Sequence, residues 1–235
     1  LMDYEKSHSW VLLDSKKLTI GFARRVTEYK RPTLIFKDIE RLGEICKGRV
    51  QFIFAGKAHP RDNQGKGLIK QIWDMSKYLY DSYDISVVFL GNYDMDLANL
   101  LVSGVDVWLN NPRRYMEASG TSGMKASLNA VLNFSVLDGW WIEGYQKDPM
   151  AGWTIGPGPS DPKATEYPDS HDANDLYRVL EREIIPLYYN NRDGWTERMK
   201  HAIRLATYFN THRMAKEYAE RAYQLKAQPR WSSTL

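Results

Sequence analysis

The sequence of 235 residues contains a single cysteine and no apolar run close to the length of about eighteen residues that a membrane-spanning helix needs. Cys46 has no second cysteine with which to form an internal disulfide, which favours a reducing, cytoplasmic location. The first residues do not resemble a signal peptide, and Leu1, in the place of an initiator methionine, suggests a truncated start. We therefore expect no association with a membrane.

A strong charge of one sign is also missing. The formal net charge is +3, which is too small to indicate a nucleic-acid partner. The contents of hydrophobic residues, 43%, and of charged residues, 26%, are those of an ordinary globular protein, and we find no internal repeat. The 8 Trp and 15 Tyr residues are numerous. Aromatic side chains often line carbohydrate sites, although packing in the core accounts for most of them.

Short apolar segments alternate with segments of helical periodicity. The alternation predicts βαβ units and therefore an α/β fold with a doubly wound, mostly parallel sheet. Each predicted strand is short and apolar, as expected of a strand that is covered on both faces. The predicted strands are residues 18–25, 50–56, 85–91, 105–110 and 134–139. The predicted helices between them are residues 33–47, 67–81, 94–104 and 124–132.

The character of the sequence changes after Gly144. A segment rich in Pro, Gly and Asp follows, which we predict to be a loop. Two helices are predicted beyond it, at residues 172–190, interrupted near Pro186, and at residues 195–227. We therefore expect a Rossmann-like lobe of residues 1–170 that binds cofactor and phosphate, and C-terminal helices in residues 171–235 that pack back on it or toward another lobe.

The segment EASGTSGMK, residues 117–125, follows the fourth predicted strand and opens a helix. Gly120 and Gly123 allow the backbone to approach a ligand closely, and the free N–H groups of a helix start favour an anion. The spacing matches neither the Walker sequence nor GxGxxG. The pattern predicts a phosphate cradle; the alternative is a tight strand–helix turn with an exposed lysine. The hydroxyls that this loop offers are those of Ser119, Thr121 and Ser122.

Lys125 is the unusual member of this loop, because we place it in the first turn of the predicted helix, where a cation opposes the helix dipole. Such a lysine is expected to be neutral, covalently modified or paired with an anion. A lysine that forms a Schiff base needs a lowered pKa. The hypothesis is therefore a cofactor that combines an aldehyde with a phosphate, which describes pyridoxal phosphate.

A second basic segment, ARRVTEYKR, follows the first predicted strand at residues 23–31. It carries Arg24, Arg25, Lys30 and Arg31. A solvated charged loop is the alternative interpretation. However, the carboxyl ends of neighbouring parallel strands lie at one edge of a sheet, so the two loops are predicted to converge on one crevice.

The two segments together resemble the α-glucan phosphorylases, the enzymes of glycogen, starch and maltodextrin breakdown. The segments SVLDGWWIEG and GKAHP are similar to the bacterial and archaeal branch, and the resemblance covers nearly the whole chain. The family has two lobes of the glycosyltransferase-B type, and this chain resembles only the C-terminal lobe, which carries pyridoxal phosphate. The resemblance thus implies that an N-terminal lobe is missing from this sequence.

The resemblance also implies roles for individual residues around the cofactor. Lys125 stands at the position of the Schiff-base lysine. Thr121 and the backbone around Gly120, with Gly123 behind it, match the cradle of the cofactor phosphate, and Arg24 replaces a basic residue that assists it. The residue that matches a tyrosine lining the cofactor pocket is Tyr93.

For the substrates, the resemblance implies that Arg25 and Lys30 hold inorganic phosphate. Glu117 matches the carboxylate that binds the transferred glucose, and Ser119 and Gly120 match its backbone contacts. The implied reaction is reversible phosphorolysis of an α-1,4-glucan to glucose 1-phosphate, with retention of configuration and no metal. The chain alone is expected to be inactive, and its assembly into a homo-oligomer is left open.

Two positions depart from the family pattern. Thr27 stands where some relatives have histidine, and Ala130 stands in place of the glycine of LNG, where we expect it to tighten the packing of the helix. Two alternatives remain. A nucleotide-sugar glycosyltransferase of the glycogen synthase type would need a carboxylate seven residues after Glu117, where the sequence has Met124. A non-catalytic remnant that binds glucan or cofactor is the other.

Overall fold

The structure is a computed structural model that describes residue 1 and residues 12–224. A single six-stranded sheet forms its centre. The strands are β1 (Leu18–Ala23), β2 (Val50–Ala55), β3 (Val87–Leu90), β4 (Val107–Asn110), β5 (Leu132–Val136) and β6 (Gly152–Ile155). All neighbouring pairs are parallel, and the order is β3-β2-β1-β4-β5-β6. This is the order of a doubly wound fold, so the predicted α/β class is confirmed.

Helices connect the strands and follow the sheet. The α-helices of the described residues are α1 (Ile39–Cys46), α2 (Asn63–Tyr83), α3 (Met95–Gly104), α4 (Thr121–Leu128), α5 (Trp140–Lys147), α6 (Asp169–Val179), α7 (Ile185–Asn190), α8 (Arg192–Tyr208) and α9 (Thr211–Glu217). Within this part of the chain, no helix combines the length and apolarity that crossing a membrane requires.

The sixth strand corrects the sequence prediction, which assigned this segment to a loop. β6 pairs in parallel with β5, and Trp153 lies opposite Phe134 in the register. Both side chains are buried. The four residues from Gly152 to Ile155 are too few for a clear periodicity, and the glycines and prolines nearby conceal the strand. Helix α5 was also not predicted; its Trp140 and Trp141 are buried, in line with the expectation that most aromatic residues pack in the core.

Polar caps account for two further differences in the helix boundaries. The predicted helix at residues 33–47 begins only at Ile39, because the side chain of Asp38 accepts a hydrogen bond from the backbone N–H of Arg41. The predicted helix at residues 195–227 is divided between α8 and α9. Asn210 caps α9 in the same way, with its side chain accepting from the N–H of Arg213. Residues 225–227 lie outside the described residues.

The interruption predicted near Pro186 is confirmed. Helix α6 ends at Val179, a π-helical turn spans Leu180–Ile184, and α7 starts at Ile185 with Pro186 in its first turn. Proline lacks a backbone N–H, so the regular hydrogen-bond ladder cannot continue through it.

The main hydrophobic core extends from the sheet into the C-terminal helices. Leu18 of β1, Phe134 of β5, Leu176 of α6 and Trp195 of α8 belong to one buried cluster. The C-terminal helices therefore pack on the sheet and stabilise it. The division of the chain at residue 170 into a lobe and a helical unit stays a prediction.

The strand order creates a switch point between β1 and β4, where the chain turns to opposite sides of the sheet. The backbone leaves the carboxyl end of β1 into residues 24–31 and the carboxyl end of β4 into residues 111–120. Ligands of doubly wound sheets bind in the crevice at such a point. Both segments that the sequence analysis selected thus lie at this crevice.

Ala130 lies in the turn after α4 and adopts a left-handed conformation, with φ 65°. The expectation that it tightens the packing of the helix is therefore wrong, because it stands in the turn where glycine is favoured. We expect Ala130→Gly to raise the free energy of unfolding by about 1 kcal/mol. Denaturant unfolding of the purified chain measures this change. The matched control is Ala126→Gly within α4, which is expected to lower stability by about 1 kcal/mol or more; a loss at both positions would contradict the explanation.

Candidate active site

Two loops meet through a carboxylate at the switch point. Glu117, in the loop after β4, accepts hydrogen bonds at Oε2 from Arg24 Nη2 (2.8 Å) and Lys30 Nζ (2.7 Å). Both cations belong to the loop after β1, and their side chains are only 8% and 7% exposed. The predicted convergence of the two loops is therefore confirmed, and an ion-paired cluster with one excess positive charge lies at their junction.

This cluster lies in the wall of a cavity of about 890 Å³. The cavity brings together most of the residues that the sequence analysis selected, and Tyr29 joins them. The selected residues that line it are Arg24, Lys30, Tyr93, Glu117, Ser119, Gly120, Thr121, Ser122 and Lys125. Burial raises the pKa of the Tyr93 phenol, which keeps this side chain neutral and donating.

Arg25 and Gly123, to which the resemblance assigns roles, do not line the cavity. Arg25 is exposed, so its assignment to phosphate stays a prediction. Gly123 is buried behind the loop, and a Cβ atom there would lie 2.5 Å from Asn133 Oδ1 and 2.8 Å from Trp140 Nε1. A side chain at position 123 would thus displace the loop from the protein interior.

Lys125 differs in position from the sequence prediction. Helix α4 begins at Thr121, three residues earlier than predicted, and Lys125 lies in its last turn. A cation is favoured there, so the prediction that the helix dipole disfavours its charge is wrong. The lysine side chain is exposed and lines the cavity. Its accessibility to a ligand, rather than the dipole, is what remains in favour of a functional role.

The start of α4 has the geometry of an anion cradle. Gly120 is the N-cap residue and adopts a left-handed conformation with φ 79°. The loop at Gly120 packs on the Trp140 side chain, and the backbone N–H of Trp140 donates to the carbonyl of Ser119 at 2.8 Å. Ser122 Oγ accepts a hydrogen bond from Trp108 Nε1 at 3.3 Å, which fixes the position of this hydroxyl. The first N–H groups of the helix are therefore fixed at the cavity wall.

Arg24 carries unused hydrogen-bonding capacity at the same wall. Its Nε and Nη1 atoms are buried and have no hydrogen-bond partner among the described residues, whereas Nη2 is paired with Glu117. Thr27 Oγ1, close in the chain, is also buried without a partner in this part of the structure. An unpaired buried donor costs about 1–3 kcal/mol, and an anion bound beside Arg24 would remove that cost.

Comparison with known proteins assigns the chain to a family. A family model described as carbohydrate phosphorylase matches residues 1–147. The chain belongs to the carbohydrate phosphorylase family. The resemblance that the two basic and glycine-rich segments indicate is therefore confirmed for the larger part of the chain.

Individual phosphorylases are similar over most of this chain but are much longer. Maltodextrin phosphorylase of Thermococcus litoralis is 50% identical over 215 residues, which cover 90% of this chain and 25% of that protein. Glycogen phosphorylase of Aquifex aeolicus is 47% identical over 91% of this chain and 31% of its own length. Glycogen phosphorylase of Mycobacterium tuberculosis is 41% identical, over 92% and 25% respectively. The chain thus spans about a quarter to a third of these phosphorylases.

Asp138 supports the loop that carries Glu117, and the sequence analysis did not select it. The carboxylate is buried, and it accepts hydrogen bonds from the backbone N–H groups of Glu117 (3.0 Å) and Gly139 (2.8 Å). Burial raises the pKa of Asp138 despite these hydrogen bonds. Asp138 therefore fixes the backbone of Glu117 from the carboxyl end of β5. Residues so distant in the chain give no signal of such a contact in their spacing.

The pKa of Glu117 should make its contribution to stability dependent on pH. Burial alone would raise this pKa, but the hydrogen bond from Lys30 and the charge of Arg24 outweigh burial and hold it below its usual value. A carboxyl whose pKa is lowered by folding stabilises the fold above its unfolded pKa, and this stabilisation is lost as pH falls through the folded pKa.

We therefore expect Glu117→Gln to lower the free energy of unfolding by on the order of 1–3 kcal/mol at neutral pH. The difference from wild type should shrink below roughly pH 4. Urea unfolding of both chains between neutral and acid pH measures it. Glu44→Gln, at an exposed position of α1, is the control and should show little difference at any pH. A difference for Glu117→Gln that grows on acidification would contradict the assignment of the ion pairs.

Proposed function

We propose that this chain is the cofactor- and phosphate-binding part of a pyridoxal-phosphate-dependent α-1,4-glucan phosphorylase. The reaction is reversible phosphorolysis, in which inorganic phosphate and a terminal glucose unit give glucose 1-phosphate and a shorter glucan. The observation that supports it most is the single cavity whose wall contains Arg24, Lys30, Glu117 and Lys125. Cations, a sugar-binding carboxylate and an accessible amine are thereby within one crevice.

The residues at this wall fit pyridoxal phosphate. The unpaired nitrogens of Arg24 and the N–H groups that follow Gly120 suit a phosphate, and Lys125 offers a primary amine to an aldehyde. Tyr93 supplies an aromatic surface for the ring. Lys125 would hold the cofactor covalently, and Arg24, Gly120 and Thr121 would hold its phosphate. When bound, the cofactor supplies a second phosphate that exchanges a proton with the substrate phosphate.

The chain's own cations would bind the substrate phosphate. Lys30 is buried, directed to the cavity and paired with Glu117 at 2.7 Å, so an arriving phosphate would share this cation with the carboxylate. Arg25 is proposed to add a second contact from its exposed position. Charges that are fixed before the reaction and shielded from water stabilise the developing charge without reorganisation. Their role is to hold two phosphates close together and to offset the repulsion between them.

The loop after β4 would bind the glucose unit. The low pKa of Glu117 keeps its carboxylate ionised at neutral pH, so that it accepts hydrogen bonds from sugar hydroxyls. Ser119 and Gly120 would add backbone contacts beside it. Asp138 holds the Glu117 backbone, which orients the carboxylate for the sugar. The sugar would thus lie between the carboxylate and the bound phosphate.

We also propose that an N-terminal lobe completes the site, as the greater length of the relatives allows. The lobe would bind the glucan and cover the cavity. A cytoplasmic location is proposed because the sequence has a single cysteine, Cys46, which is buried and cannot form an internal disulfide.

Trapping on Lys125 tests the cofactor assignment. We expect that incubating the purified chain with limiting pyridoxal phosphate, followed by borohydride reduction and peptide mapping, will place the main label on Lys125. Lys125 lines the cavity together with the cradle that would hold the cofactor phosphate, whereas no other exposed lysine of residues 12–224 lines it. An excess of inorganic phosphate should compete with labelling at this position.

Lys125→Arg is the matched variant, because it keeps the charge but removes the reactive amine. It should lose the main label, while labelling of exposed lysines such as Lys70 stays at its low level. A main label elsewhere, or equal labelling of all exposed lysines that phosphate leaves unchanged, would overturn the assignment.

A further inference from the structure

We propose that Arg31, Arg114 and Asp172 form a buried positioning unit that holds Lys30 and Glu117 in register at the cavity. The inference rests on the proposed function for the importance of Lys30 and Glu117, but the geometry that carries it is independent of any ligand. Neither arginine is among the described residues that line the cavity, so the unit acts through the backbone of the two loops.

Arg31 ties the loop after β1 to the loop after β4. Its Nε donates to the carbonyl of Asn111 at 2.8 Å, and its Nη2 donates to the carbonyl of Pro112 at 2.9 Å. In return, Asn111 Nδ2 donates to the carbonyl of Arg31 at 2.7 Å. A further backbone hydrogen bond joins Arg113 N to the carbonyl of Tyr29 at 2.7 Å. The two loops are therefore connected by four hydrogen bonds next to Lys30.

Asp172 of helix α6 forms ion pairs with both arginines. Its Oδ2 accepts from Arg31 Nη2 at 2.8 Å and from Arg114 Nη1 at 2.8 Å, while its Oδ1 accepts from Arg114 Nη2 at 2.7 Å. The three side chains are between 2% and 6% exposed. Buried charges persist only when they are fully paired, and one carboxylate here serves two guanidinium groups. Asp169 provides a second acceptor for Arg31 Nη1 at 2.9 Å.

Arg114 extends the unit to the edge of the sheet. It donates from Nη2 to the carbonyl of Ile155, the last residue of β6, and from Nε to the carbonyl of Pro157, both at 3.1 Å. Gly156 lies between them with φ 66°, and a Cβ atom there would be 2.1 Å from Arg114 Nη2 and 2.2 Å from Asp172 Oδ1. The backbone thus approaches the ion cluster too closely for any side chain at this position.

The position of the arginines in the chain explains what the unit controls. Arg31 directly follows Lys30 and adopts a left-handed conformation, φ 47°, that its side-chain contacts must hold. Arg114 precedes Glu117 in the same loop. The two anchored loops thus carry Lys30 and Glu117, and the hydrogen bond from Lys30 Nζ to Glu117 Oε2 joins them at the cavity wall. Loss of the anchor should loosen this pair while the sheet stays folded.

Competitive acetylation of lysine amines tests the proposal without relying on any ligand. Folded chain is treated with a trace of acetic anhydride, and the labelling of Lys30 is compared with that of exposed Lys70 by peptide mapping. Wild-type Lys30 should label slowly. In Asp172→Asn, measured well below its unfolding temperature, Lys30 labelling should rise about tenfold, because the loops open locally at lower cost.

Arg31→Lys is the second variant, since it keeps the charge but cannot bridge two carbonyls and a carboxylate, and it should give a smaller increase. Arg178→Lys is the control, because Arg178 follows on the same helix but makes exposed ion pairs. If Asp172→Asn and Arg31→Lys lower the unfolding temperature but leave Lys30 labelling at the wild-type rate, the unit is structural only and the proposal is overturned.

The same assay separates this proposal from the proposed function. Inorganic phosphate should protect wild-type Lys30 further and should protect it less in both unit variants. Absence of protection in the wild type would count against the phosphate site. The change in Lys30 labelling without phosphate would still decide whether the unit positions the loops.

Discussion

Replacing Lys30 with alanine in a two-lobed enzyme that contains this chain is expected to reduce phosphorolysis by about two to three orders of magnitude. The variant loses a buried cation in the cavity wall. Of the two cations that pair with Glu117, it keeps Arg24. Cofactor content should change little, because Lys125 lies in helix α4 and Gly120 is the N-cap of that helix. The measurements are initial rates of glucose 1-phosphate formation at saturating phosphate, and pyridoxal phosphate content by absorbance.

Two companion variants sharpen this test. Lys70→Ala removes an exposed lysine of α2 that is paired with Asp74, and it should keep full activity. Arg25→Ala decides whether exposed Arg25 reaches the substrate phosphate, as the family resemblance implies; a loss like that of Lys30→Ala would support the contact. Wild-type turnover in Lys30→Ala would contradict the role of Lys30 in phosphate binding.

The fold was predictable from the sequence wherever burial leaves a strong periodicity. The segments of β1 and β2 are each buried along their whole length, so the sequence shows them as predominantly hydrophobic runs. β6 was missed because a strand of four residues at the sheet edge, ending at Ile155 next to Gly156, carries too little pattern. The doubly wound class was predicted from handedness and connection rules, and the structure adds the order of the strands.

The candidate site was predictable in outline because topology brings the ends of β1 and β4 together. The dipole argument for Lys125 was wrong. The predicted start of α4 was three residues too late, which put the lysine in the first turn of the helix instead of the last. Individual side-chain contacts between distant segments could not be predicted from the sequence. Asp138 with Glu117, and Arg31 with Asp172, are 21 and 141 residues apart, and only the packed fold shows them.

The ion pairs of the site fix its charged side chains before a ligand binds. Glu117 pairs with both Arg24 and Lys30 and leaves one excess positive charge, so the two cations are held in place before any anion binds. Under the proposed function, Lys30 would bind phosphate by redistributing a hydrogen bond that already exists. Preorganisation of this kind lowers the entropic cost of binding and of the reaction itself.

The 235-residue chain alone is expected to fold and to take up pyridoxal phosphate, but to give no measurable phosphorolysis. Folding is supported by the buried core that joins the sheet to the C-terminal helices. Inactivity follows from exposure around the cavity. Met95, Met116 and Leu128 line it and are 87%, 56% and 56% exposed, so water reaches the wall at which phosphate and sugar would bind. Solvent screens the charges that must act on the transition state.

The assay combines the purified chain with pyridoxal phosphate, inorganic phosphate and maltoheptaose, and measures glucose 1-phosphate over hours. A complete phosphorylase of the same family serves as the positive control, and borohydride trapping on Lys125 in the same sample shows that the cofactor has bound. Label on Lys125 without turnover would place the missing requirement in the covering lobe rather than in the cradle. Sustained turnover at a rate comparable to the complete enzyme would instead mean that Lys30, Glu117 and Lys125 form a sufficient active site despite their contact with water, and that the proposed second lobe serves glucan binding and not the chemistry.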